Sequence, residues 1–160
     1  MGLTNLGIFH TVVGIIGIVA AITSFVKYSK INLSALTGRI YFFGTLIASL
    51  SALGISKRGG FNPGHGLALF VLVLVFLAVY LHARKKGNNR ARFVENVSLS
   101  LSFFLSMIPT VAETFQRVPI GRPLAKDMKD PVIGGTILVL FVMFIAGSIY
   151  QYRLQKKING

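Results

Sequence analysis

The sequence predicts an all-α membrane protein, a polytopic transmembrane helical bundle of five spans, or four if the fourth or fifth apolar run is not fully inserted. Three observations predict it. Hydrophobic residues make up 53% of the 160, and the mean hydropathy of +0.70 lies well above that of a soluble domain of this length. Apolar runs approaching the roughly 20 residues needed to cross a bilayer recur from one end of the chain to the other. The 17 Lys and Arg residues fall between those runs and not along a soluble face. Residues 1–160 therefore read as one bundle, with no room for a separate soluble domain.

The first run, about Leu6 to Val26, carries Gly14, Gly17 and Ala21 on a small-residue ridge, with Lys27 and Lys30 after it. MGLTNLG lacks a positive n-region and an evident cleavage site, so this run reads as a retained span. The second, about Leu36 to Ile55, places Gly44, Ala48 and Ala52 four apart, a spacing that lets helices approach closely in lipid. Lys57 to Gly64 is a turn by composition. The third, about His65 to Ala83, is apolar all round between two histidines and should face lipid over much of its surface. Arg84 to Arg90 forms a basic loop. The fourth, Arg92 to Arg117, is the most polar. The fifth, about Val132 to Tyr150, has Gly134, Gly135, Ala146 and Gly147 for packing, followed by Arg153, Lys156 and Lys157.

The fourth run sets the functional question. Glu95 and Glu113, two of only four acidic residues, are separated by about five helical turns at roughly 3.6 residues each. They share a face with Ser98, Ser102, Ser106 and Thr110. Val97, Leu101, Phe104 and Ile108 lie opposite. This polar seam either lines a path for a proton, cation or small solute, or packs against a neighbouring helix through small residues that bond back to their own backbone. Pro109 should bend the helix.

Lys and Arg also set orientation. About eleven lie on the side of the first and third loops and the C-terminal tail, and about six on the other. The bias puts the N-terminus outside and the C-terminus in the cytoplasm, in a bacterial inner membrane, with the basic residues against anionic lipid headgroups and no nucleic-acid partner. On this topology His10, His65 and Glu113 approach the outer surface. That trio suits a divalent metal or a cation entry point, and His10 with His65 could ligate a single haem. His82, Glu95 and Arg39 stand on the inner side, where Glu95 would pair with Arg39 or Arg92 and His82 reads as an interfacial flank. There is no cysteine, which excludes disulfides, thiolate metal sites and cysteine nucleophiles. No phosphate loop, nucleophile elbow or His-Glu-x-x-His pattern occurs.

His10 and Gly38-Arg39-Ile40-Tyr41 carry a resemblance. Over about residues 10–84 the chain resembles an uncharacterised family of bacterial multi-spanning membrane proteins, in which a His early in one span is followed by His-Arg-x-x-Gly-Arg-x-Tyr at the start of the next. Here Ser34-Ala35 stand where His-Arg would be. The resemblance implies a helical membrane protein and no particular activity. Three functions follow as expectations. The first is transport along the seam, with His10, His65, Glu113, Glu95, Ser102 and Ser106 as the binding residues. The second is a non-catalytic scaffold or subunit that self-associates or binds another membrane protein, and the third is a haem-binding redox module.

Overall fold

The computed structural model describes residues 4–55, 60–85 and 87–159, with side chains to residue 157. It contains five helices, α1 (Asn5–Tyr28), α2 (Leu36–Leu53), α3 (Pro63–Arg84), α4 (Asn89–Phe115) and α5 (Pro131–Asn159). Among the described residues there is no strand. Each helix is long and apolar enough to cross a membrane, so the chain is a multi-pass helical membrane protein. Lys57 and Arg58 of the first expected turn, and Lys86 of the basic loop, lie outside the described residues.

The helix ends follow local chemistry. Thr4 accepts from the Gly7 N–H at 3.1 Å, Asn62 from His65 at 3.2 Å ahead of Pro63, and Asn88 from Ala91 at 3.0 Å. Each satisfies one of the amides that a helix start leaves without an intrahelical acceptor. α1 stops where Ser29 turns left-handed, with φ of 57°, and its N–H bonds back to the Phe25 carbonyl at 2.8 Å. The flanking lysines do not set that boundary; the left-handed turn does.

Helices adjacent in sequence pack together, α1 on α2, α2 on α3, α3 on α4 and α4 on α5. The α1–α2 contact is the closest because it is made by glycines. A Cβ on Gly44 would lie 3.1 Å from the Gly17 Cα, so the two backbones nearly touch. The first four helices enclose a core of Ala20, Ala21, Ile31, Leu33, Tyr41, Val75, Ala78 and Leu99. Phe25 of α1 reaches Phe103 of α4 edge-on, with centroids 5.4 Å apart, a favoured aromatic geometry. α3 keeps much of its surface outward, with 33% of its apolar stretch buried. Ala68, Val71, Leu72, Val75 and Ala78 are buried, while Leu69, Phe70, Val73, Phe76 and Tyr80 are exposed.

α5 stands apart. Only 6% of its apolar stretch is buried, against 39% for α4. It lies along α4 through a small cluster at one end, where Val111, Ala112, Ala125 and Ile133 are buried, and through Phe104 against Phe141 and Phe144 midway. It also runs past the expected end at Tyr150, through Asn159. The extension carries two amides, Gln151 and Gln155, onto α4.

Candidate functional site: a polar cluster at the basic end

The basic end is the one bearing the α1–α2 and α3–α4 connections and the C-terminus of α5. The buried polar side chains concentrate on this side of α4. Glu95, in the second turn of α4, is 3% exposed. Its Oε1 lies 2.8 Å from His82 Nδ1 on α3, and its Oε2 is 2.5 Å from Arg92 Nη1, one turn earlier on α4. The assignment that satisfies both contacts has Nδ1–H and the guanidinium each donating to one carboxylate oxygen. Arg92 also donates through Nη2 to the His82 carbonyl at 3.3 Å. His82 Nε2 lies 3.3 Å from Ser34 Oγ on the α1–α2 connection. One buried carboxylate thus ties together α3, α4 and, through the imidazole, the turn between α1 and α2. A buried carboxylate needs such partners, because its desolvation costs several kcal/mol.

The α1–α2 connection is itself fixed from within. Ser24 Oγ donates to the Lys30 carbonyl at 3.0 Å and accepts from the Asn32 N–H at 2.9 Å. Gly38 closes over the same turn. A Cβ there would fall 2.0 Å from the Asn32 carbonyl oxygen, so no larger residue fits.

Deeper in the bundle, Ser102 is completely buried and its Oγ lies 2.7 Å from the Tyr41 hydroxyl on α2. The seam is therefore closed at this level. Its hydroxyls bond backwards along α4: Ser102 to the Leu99 carbonyl, Ser106 to that of Ser102, and Thr110 to that of Ser106, all at 2.8 Å. α4 continues through Pro109. Ser98 and Ser102 are buried, Ser106 is partly so, and Glu113 is exposed beside Arg117, with Nη2 to Oε2 at 2.6 Å.

A second polar line on α4 has no counterpart in the sequence reading. Asn96 and Ser100, four residues apart, face Gln151 and Gln155 of α5, also four apart. Ser100 Oγ lies 3.3 Å from both ends of the Gln151 amide. Gln151 Nε2 also donates to the Ser29 carbonyl at the end of α1, at 3.1 Å. Gln155 Nε2 donates to the Asn89 carbonyl, and Asn96 Nδ2 approaches Gln155 Oε1 at 3.5 Å. The matched spacing of two polar pairs was the available signal.

The opposite end gathers less. His10 Nδ1 sits 2.9 Å from the Ala48 carbonyl and 3.1 Å from Ser51 Oγ. His65 Nε2 sits 3.2 Å from the Ile55 carbonyl. Each histidine thus holds a different carbonyl near the end of α2. Among the described residues, no group of three or more His, Asp or Glu side chains is arranged to hold a metal. Arg39, the other expected partner of Glu95, is exposed; Arg92 is the guanidinium that pairs with it.

No protein family, curated protein or solved structure matches this chain.

Proposed function

We propose that this multi-pass membrane protein is a non-catalytic subunit or scaffold that docks through α5 onto another membrane-spanning helix, either a second copy or a different protein. One observation carries the reading. α5 is the least buried helix, and a Cβ placed at Gly134, Gly135 or Gly147 would meet nothing within 4 Å. Glycines in membrane helices allow close backbone approach, yet these three make no such approach within the chain. Beside Gly147, an outward-facing hollow of about 320 Å³ lined by Phe93, Ser148, Ile149 and Tyr152 can seat an apolar side chain of the partner.

The seam favours this reading over transport. Its hydroxyls are used by Tyr41 and by the backbone of α4, and small hydroxyl residues that bond back to helix carbonyls are common at helix contacts. The separate carbonyl partners of His10 and His65 give the haem reading no support. Orientation follows from the Lys/Arg bias, with the basic end in the cytoplasm of a bacterial cell. The resemblance to the uncharacterised bacterial family, through His10 and Gly38-Arg39-Ile40-Tyr41, belongs to the same proposal.

Photo-crosslinking in native membranes tests it. A photoreactive residue at Leu138 or Met143 of α5 should give a discrete protein adduct, while one at Ile15, on the exposed side of α1, should give lipid adducts alone. Absence of α5 adducts, together with proton or cation flux in liposomes that Ser102→Leu abolishes, would overturn the subunit reading in favour of transport.

A further inference from the structure

We propose that the cleft at the basic end, between the end of α1, the start of α4 and the end of α5, is a binding site for a phosphate oxyanion, such as that of an anionic phospholipid headgroup. It does not depend on how α5 is used elsewhere along its length. The cleft has a volume of about 360 Å³ and is lined by Lys30, Arg92, Asn96, Gln151 and Gln155, with Tyr28 and Leu154 among its apolar walls. That volume falls in the range of about 300–1,000 Å³ typical of small-ligand sites.

The charge balance selects an anion. Among the described residues, no carboxylate lies within ion-pairing distance of Lys30. Glu95 is the one acidic residue of this end, and both its oxygens are engaged by His82 and Arg92. The positive end of the α4 dipole, at Asn89, adds to the cationic character of the wall. The opposing carbonyl at the end of α1, that of Ser29, is covered by the Gln151 amide.

The hydrogen-bond count selects an acceptor-rich ligand. Asn96 is only 5% exposed, and its amide donor has a single contact at 3.5 Å. That is beyond the usual 2.7–3.2 Å or so of an N–H···O bond. A buried donor left this weakly engaged is costly, and a phosphate oxygen in the cleft would satisfy it. Phosphate also suits the Lys30 ammonium, through a charge-assisted hydrogen bond, while Arg92 offsets the charge of Glu95 behind it. The apolar walls then accommodate the glycerol and first acyl carbons of a lipid. The basic loops around the cleft put it where headgroups lie.

The test uses the full-length protein in neutral detergent, titrated separately with short-chain phosphatidylglycerol, short-chain phosphatidylcholine and inorganic phosphate, with thermal midpoint and native mass spectrometry as readouts. Phosphatidylglycerol should raise the midpoint and bind at least tenfold more tightly than phosphatidylcholine. Lys30→Gln and Gln155→Glu should each lose that preference, Lys30→Arg should retain it, and Lys156→Gln, outside the cleft, should leave it unchanged. If inorganic phosphate alone stabilises the wild type and not Lys30→Gln, the site stands with free phosphate as its source. Equal binding of the two lipids with no effect of phosphate would overturn the proposal. So would a phosphatidylglycerol preference that survives both Lys30→Gln and Gln155→Glu.

Discussion

Gly17 and Gly44 sit where α1 and α2 nearly touch, whereas Gly134, Gly135 and Gly147 of α5 have open space where a side chain would be. The same residue type, in helices that are all apolar enough to span a membrane, thus serves two kinds of surface. In the first four helices, several glycines and serines are spent on internal closure, in the α1–α2 approach, the turn clamped by Ser24 and the Tyr41–Ser102 contact, although Gly14 of α1 has open space beside it. In α5 the three glycines have open space beside them, and attachment to the bundle is made by the Ile133 cluster, aromatic rings and two glutamines. The contrast separates a self-contained four-helix unit from an appended helix. It also explains why a small-residue ridge in a sequence does not by itself reveal what it packs against.

The largest expected effect would come from Gly38→Ala. The added methyl would overlap the Asn32 carbonyl, which is backbone and cannot rotate away. We expect a loss at or above the top of the roughly 1–3 kcal/mol usual for overpacking, read as a lowered unfolding midpoint in detergent. A wild-type midpoint would mean that the α1–α2 turn is not closed as described. Glu95→Ala should follow. Removing one partner of a buried ion pair costs about 3–5 kcal/mol, and the partial exposure of His82 and Arg92 places this site at or below the low end of that range. Helix-by-helix hydrogen exchange should show loss of protection where α3, α4 and the α1–α2 turn meet, and not in the outer half of α5.

Gly44→Ala and Gly147→Ala test the comparison directly. The first must push α1 and α2 apart by a few tenths of an ångström, at a cost near about 1 kcal/mol. The second should change the stability of the isolated chain by no more than about 0.5 kcal/mol. Equal effects would erase the distinction between the two surfaces. The smallest effect expected is that of pH at the N-terminal end of α5. The backbone N–H groups of Lys126 and Val132 hold the Asp130 carboxyl below its ordinary value. The folded pKa is depressed, so the stabilisation is present above the ordinary carboxylate pKa and lost as pH falls through the folded value. Only acid below the ordinary carboxylate pKa should therefore loosen the N-terminus of α5, and Asp130→Asn should remove that dependence. Exchange protection of Val132 measured against pH checks both.

The five spans were legible in the sequence, because hydropathy marks spans, and Arg92 was one of the two partners that the sequence offered for Glu95. His82 was not. It reads as a flank to the basic loop, and its contact with Glu95 depends on how α3 and α4 close, which linear spacing does not encode. Gln151 and Gln155 were missed because hydropathy ends the fifth span at Tyr150, whereas burial against Asn96 and Ser100 carries the helix onward. The seam was recognised as a line of polar residues. Whether such a line is wet or packed depends on the facing residue, and Tyr41 gave no sign of that role.

The clamp at Ser24 bears on how the protein is made. Its two hydrogen bonds, the Gly38 turn and the Gly17–Gly44 contact all lie within the first 44 residues. That hairpin can close inside the insertion machinery while later helices are still being synthesised. Glu95 must wait for α4, and Ser29 receives its bond from Gln151 only when the final helix arrives, 122 residues downstream. The cleft at the basic end is therefore complete only once the C-terminal part of α5 is in place.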